Sequence, residues 1–192
     1  MEFLDKIFKI IAVGGSAGSF SVVSEILSQL RADFRIPIVF CLHRLKYIRT
    51  GLVEGLSIKS NLRIIEPYDK EKIEPNTVYI APANYHLFVE YDRTFSLSTE
   101  YPYNYSRPAI DHTLSSAGFS YREKTLGILL TGANRDGAQG LKDIHDKKGF
   151  TIIQDPSTCE VATMPRSALK LFTPDRILSP SDIVQFLNNL PQ

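Results

Sequence analysis

The chain has 192 residues, enough for one substantial core and short of two full domains. With 43% hydrophobic and 22% charged residues, and 11 glycines and 11 prolines, it falls outside the disordered, collagen-like and low-complexity classes. A formal charge of +1 gives no whole-surface footprint for nucleic acid or membrane, and two cysteines, Cys41 and Cys159, make neither a disulfide framework nor a structural zinc site, so no metal is expected.

No stretch approaches the roughly 20 apolar residues that span a bilayer. The run Ile7 to Val13 is interrupted by Lys9 and preceded by Glu2 and Asp5, which spoils it as a signal-peptide core. A soluble, cytoplasmic protein without membrane insertion is expected. Phe8 to Val13 reads as a strand that ends in Gly14-Gly15-Ser16-Ala17-Gly18, and Phe20, Val23, Ile26, Leu27 and Leu30 follow at helical spacing. Pro37 to Leu42 is apolar on both faces, as a parallel strand covered by helices on each side should be. A return helix over about Tyr47 to Leu56 and a short strand at Leu62 to Ile65 come next.

From Asn76 to Ser98 the pattern changes to antiparallel hairpin signals, built from Thr77-Val78-Tyr79-Ile80, His86 to Glu90 and Thr94 to Leu97. Ser106-Arg107-Pro108 opens a helix to about Tyr121, with the proline in its first turn. Leu126 to Leu130 is a buried strand, Ala138 to Lys147 a helix stopped by Gly149, and Thr151 to Ile153 another strand; helices from Pro165 and Pro180 close the chain. The expected fold is α/β: a doubly wound, mostly parallel sheet with helices on both faces and an inserted antiparallel β-hairpin, in a single domain over residues 1–192.

In such sheets ligands bind beyond the carboxyl ends of the strands. Three strands end there in chemically useful residues: Ser16, His43 and, a few residues on, Asp136. Gly14 to Gly18 fits G-x-S-x-G on a strand-to-helix turn, where small neighbours leave a serine hydroxyl exposed; the same turn can cradle a phosphate or simply pack a helix close. Neither G-x-G-x-x-G nor a P-loop pattern is present. An imidazole with a pKa near 6.5 can take the serine proton, which gives His43 a role beyond ending a strand. Asp136 can orient that imidazole, or cap the helix that follows it. His86, in the hairpin, and His145, on a helix, read as ordinary surface residues, and His112 falls inside the helix after Pro108. The chain order Ser, His, Asp is not that of the α/β-hydrolases.

Six separated blocks then share one resemblance: Ile11 to Gly18, Leu42-His43, Tyr79-Ile80-Ala81-Pro82, Ser106 to Asp111, Leu129 to Gly140, and Met164-Pro165-Arg166. In order and spacing the chain resembles the catalytic domain of the CheB-type chemotaxis-receptor methylesterases from about Ile10 to Leu190. The resemblance implies hydrolysis of glutamate γ-methyl esters on the cytoplasmic helices of methylated chemoreceptors, without a cofactor, by a triad of Ser16, His43 and Asp136. It also implies backbone oxyanion donors at Ala17 and Ala133, and a cleft shaped by Arg107, Asp111 and Arg166. The chain departs from the family at Ala17, where threonine is frequent, at Ser19 for glycine, at Arg44-Leu45 for Met-Pro, and at Ala133 for methionine. The hydrolase strand starts by residue 8, so no N-terminal receiver domain is expected, and control would come from receptor docking, expression or a separate regulatory protein. Arg31, Arg35, Arg44, Lys46 and Arg49 form either a basic rim near His43 that steers acidic receptor helices or a solvated face. Two rival readings keep the fold: a glutamine deamidase using the same triad, and a noncatalytic receptor- or anion-binding module.

Overall fold

The structure is a computed structural model that describes residues 7–43 and 51–191. Its strands are β1 (Ile10–Gly15), β2 (Ile38–Leu42), β3 (Arg63–Ile65), β4 (Thr77–Ile80), β5 (His86–Val89), β6 (Phe95–Ser98), β7 (Thr125–Leu129), β8 (Phe150–Gln154) and β9 (Arg176–Leu178). Its α-helices are α1 (Ser19–Gln29), α2 (Leu52–Ser57), α3 (Ile110–Tyr121), α4 (Ala138–Asp146), α5 (Thr163–Leu169) and α6 (Pro180–Asn188).

Seven strands make one sheet in the order β3-β4-β2-β1-β7-β8-β9, and every pairing in it is parallel. The chain begins at the centre with β1, adds β2 beside it, places β3 at the edge and returns to insert β4 between β3 and β2, and then crosses back to lay β7, β8 and β9 on the other side. Strand order therefore reverses at β1, and the crevice beyond its carboxyl end is where an α/β sheet takes its ligand.

Alternation along the strands splits the apolar residues between two cores. Ile11, Val13, Ile38, Phe40, Leu42, Leu126, Ile128, Phe150 and Ile152 face α1, α2 and α6. Ile10, Ala12, Val39, Cys41, Tyr79, Leu129 and Ile153 face α3, α4, α5 and the β5–β6 ribbon. On that second face β1 carries Ala12 and Gly14, which brings α3 close. A Cβ at Gly14 would stand 2.2 Å from Ile110 Cγ2, so glycine there lets the first turn of α3 lie directly over the end of β1.

Three expectations change. Thr77–Ile80 does not belong to the hairpin: it is buried on both faces and pairs in parallel with β2 and β3. The antiparallel ribbon is β5 with β6 alone, tied to α3 by Thr113 Oγ1 donating to Leu87 O (2.8 Å) and Ser120 Oγ donating to Val89 O (2.7 Å). Helix α3 starts at Ile110, after Pro108, because the Ala109 backbone is extended (φ −98°, ψ 130°). Strand β9 gave no periodic signal, being three residues long with two of them exposed. The early part of the helix expected from Tyr47 lies outside the described residues, and its remainder is α2. No helix among the described residues is long and apolar enough to cross a membrane.

Candidate active site

Ser16 follows β1 at a tight elbow. Its N–H donates to Thr131 O (3.0 Å), and its carbonyl accepts from both the backbone N–H (2.9 Å) and the hydroxyl (2.6 Å) of Ser19. Gly18 completes the turn at φ 76°, a left-handed conformation, with its α-carbon packed so close to Glu160 that a Cβ would lie 2.6 Å from that residue's own. The neighbouring strand β2 ends one residue before His43, whose N–H donates to Gly15 O (3.2 Å). These two strand ends bring the serine and the imidazole to one rim.

His43 Nδ1 lies 3.2 Å from Ser16 Oγ, and His43 Nε2 lies 2.7 Å from Asp136 Oδ2. A carboxylate only accepts, so Nε2 carries the proton and Nδ1 keeps a lone pair for the serine hydroxyl. The polarity is opposite to that of the familiar serine proteases, in which Nε2 faces the nucleophile. Turning the ring over would place carbons at both contacts, so the direction from which the His43 Cα enters the site decides it.

Asp136 is fully buried. Besides His43 it accepts the N–H of Ile110 (2.8 Å, on Oδ2) and of Asp111 (3.0 Å, on Oδ1), the first amides of α3. Burial pushes its carboxyl up, but the hydrogen bonds from His43, Asp111 and Ile110 outweigh this and hold it below the ordinary carboxylate range. The capping alternative is thus realised on a different helix: Asp136 caps α3, not α4, which follows it in sequence.

Asp111 returns the arrangement. Its Oδ1 accepts from Gly137 N (2.8 Å) and Gly140 N (2.8 Å) at the start of α4, and Asn104 Nδ2 lies 3.3 Å from its Oδ2. Two carboxylates therefore cap each other's helices, back to back. Burial and the nearby Asp136 charge raise the Asp111 carboxyl to about 6, against the pull of the Gly140 and Gly137 amides.

The loop after β7 is anchored by groups that the motif reading passed over. Thr131 Oγ1 accepts from Val161 N (2.9 Å) and lies 3.0 Å from both Ala17 O and Val161 O, joining the serine elbow to the approach to α5. Buried Gln154 accepts from Thr131 N (2.9 Å), and Asn134 Oδ1 accepts from Asp136 N (3.1 Å) while its Nδ2 comes within 3.5 Å of His43 Nδ1. Threonine in the loop and asparagine two residues before an aspartate were the available signals. Among the described residues, neither the Ala17 nor the Ala133 N–H donates a hydrogen bond within the chain.

A cleft of about 280 Å³ opens beside His43, lined also by Asn84, Pro102, Tyr105, Ser106, Arg107 and Pro108. Arg107 is there, and its guanidinium donates to Thr99 O (2.6 Å) and Glu100 O (2.9 Å). Asp111 does not line this cleft; it is buried behind Asp136 and reaches a separate pocket with Arg135 and Lys170. Arg166 is exposed on α5 and outside the cleft lining. His86 is fully buried rather than on the surface: Nδ1 accepts from Ala109 N (3.2 Å) and Nε2 donates to Tyr101 O (3.1 Å), because β5 turns it under the loop that leads into α3. His145 is half-buried beside Phe172, and His112 packs with His86, Phe88 and Tyr103. Burial lowers the His112 pKa. Arg31 and Arg35 precede β2, about 16 Å of strand from His43, so they form no rim around it. Arg44, Lys46 and Arg49 lie outside the described residues.

A family model described as CheB methylesterase matches residues 11–187. The chain belongs to the CheB methylesterase family. A relative in Leptospira interrogans, named for protein-glutamate methylesterase and protein-glutamine glutaminase activity, is 41% identical over 185 residues, covering 96% of either chain. The protein-glutamate methylesterase FrzG of Myxococcus xanthus is 35% identical over 92% of this chain and 53% of its own. The chain thus spans nearly all of the first relative and about half of the second. The crystal structure of the Thermotoga maritima CheB methylesterase catalytic domain superposes with a TM-score of 0.89 at 32% identity, covering 94% of this chain and 97% of that one.

Proposed function

We propose that this chain is a protein-glutamate methylesterase in which Ser16 is the nucleophile, His43 the general base and acid, and Asp136 the orienting carboxylate. The observation that carries the reading is the imidazole held between Ser16 Oγ and a carboxylate that two backbone amides pin in place. The substrate is the γ-methyl ester of a glutamate on a chemoreceptor's cytoplasmic helices, and the chain works in the cytoplasm.

The Ser16 hydroxyl attacks the ester carbonyl as its proton passes to His43 Nδ1. The tetrahedral oxyanion meets the free N–H groups of Ala17 and Ala133; a well-placed donor of this kind is worth about 3–4 kcal/mol. Collapse of the intermediate expels methoxide, which takes the proton from Nδ1 and leaves as methanol. Water, deprotonated by the same nitrogen, then releases the glutamate carboxylate and restores the serine. Asp136 stays ionised throughout and stabilises the imidazolium at Nε2.

A glutamine side chain would form the same acyl-enzyme with ammonia as the leaving group, and the paired names of the relatives favour this second activity over a noncatalytic module. Arg107 serves the cleft by fixing the Thr99–Glu100 loop, and Asp111 serves it by holding α4 in place.

The test is methanol release from a methylated receptor fragment. Ser16→Ala should reduce turnover on the order of 10⁶-fold, as nucleophile loss does in other serine triads. Activity that survives this change would rule out the mechanism, and absence of methanol from the intact protein would rule out the esterase.

A further inference from the structure

Tyr103 and Ser106 exchange both backbone hydrogen bonds, Tyr103 N to Ser106 O at 3.1 Å and Ser106 N to Tyr103 O at 2.9 Å. The two residues between them are both left-handed, Asn104 at φ 48° and Tyr105 at φ 63°. This is the geometry of a two-residue type I′ turn, which favours Asn-Gly. Asparagine suits its first position. Tyrosine occupies the place of glycine, where an L-residue meets a steric cost and a bulky one is an outlier.

Packing does not compensate that cost. Tyr105 is 103% exposed, so its ring buries nothing within the chain. Tyr105 is nevertheless one of the residues lining the cleft beside His43. The loop presenting it is firmly anchored: Arg107 clamps Thr99 and Glu100, Asn104 reaches Asp111, and the Tyr103 ring lies 4.6 Å from that of His112. A strained backbone position, a large ring in water and an anchored support coincide beside the candidate base, and strain of this kind is retained where function uses it.

We infer that Tyr105 is a specificity-determining residue: its ring packs on the polypeptide flanking the esterified glutamate while the ester itself enters the cleft. The inference rests on the esterase reading above. The ester must reach Ser16 and His43 inside, whereas Tyr105 stands fully exposed among the residues of the cleft wall, so its ring meets neighbouring residues of the substrate and not the reacting group. A tyrosine on a fixed backbone supplies flat, amphipathic contact area at small entropy cost, which suits the methylene and methyl surfaces of a substrate helix.

Tyr105→Gly separates this role from a structural one, because glycine is what the turn prefers. The variant should melt no lower than the intact protein. The ratio of kcat/KM for a methylated receptor-helix fragment to kcat/KM for p-nitrophenyl acetate should fall about tenfold, the loss typical of one aromatic contact, and Tyr105→Phe should restore it. An unchanged ratio, or an equal fall on both esters, would overturn the inference and leave the esterase reading intact. Failure of the intact protein to release methanol would overturn the esterase reading and this inference with it.

Discussion

Replacing Asp136 by asparagine tests the geometry most sharply, because the two carboxylate oxygens have different duties. Oδ2 accepts from His43 Nε2 at 2.7 Å and from Ile110 N at 2.8 Å, whereas Oδ1 accepts from Asp111 N at 3.0 Å. An amide can be placed in two ways. With its nitrogen at the Oδ2 position it donates to His43, forces the imidazole proton onto Nδ1, and leaves Ser16 facing a donor; the wrong tautomer costs on the order of 10⁴ in kcat in the serine protease case. With its nitrogen at the Oδ1 position the tautomer survives, but the imidazolium loses its negative partner. Either way one buried backbone N–H of α3 faces another donor, which costs about 1–3 kcal/mol, or roughly 2–12 °C in Tm for a chain of this size. Asp136→Asn should therefore lower turnover by about 10²–10⁴ and lower Tm together. Methanol release gives the first and a thermal melt the second. Turnover within tenfold of the intact protein would refute the orienting role, and an unchanged Tm would refute the cap.

Asp111 makes a prediction about pH. Its carboxyl is raised from 3.8 to about 6, so between those values the folded chain holds a proton that the unfolded chain has released. The stability it contributes is present below about 3.8 and is lost as pH rises through about 6. Relative to Asp111→Asn, the intact protein should gain about 2 kcal/mol between pH 6.5 and 4, read from urea midpoints; a flat difference would refute the assignment. Thr131→Val removes the hydroxyl between the serine elbow and Val161, and should lower kcat about tenfold with a stability loss of about 1–2 kcal/mol, both restored by Thr131→Ser. His86→Phe strands the buried Ala109 N–H and should cost about 1–3 kcal/mol; a Tm equal to that of the intact protein would refute the role of this hydrogen bond.

Local pattern was enough to locate most elements, because buried parallel strands are apolar on both faces and their helices carry a periodic stripe. β1, β2, β7 and β8 were legible within two residues at each end for this reason. Thr77–Ile80 was misassigned because an apolar run bounded by turn residues looks the same whether its partner lies next in the chain or across the sheet. The start of α3 was missed because a proline near a helix reads as its first turn, whereas here the extended backbone of Ala109 intervenes. His86 was read as a surface residue since polar character alone says nothing about a loop folding over it.

Ser16, His43 and Asp136 were each visible as polar residues beyond a strand, and the spaced blocks around them suffice to identify the family. Spacing along the chain is a one-dimensional quantity, so it carried the periodicity, the elbow and the order of the three side chains. Which imidazole nitrogen faces the serine, which helix Asp136 caps, and that Asp111 answers from the other side depend on elements far apart in sequence meeting at the β1 switch point. Only the tertiary packing brings those amides and carboxylates within hydrogen-bond distance, and it alone decided them.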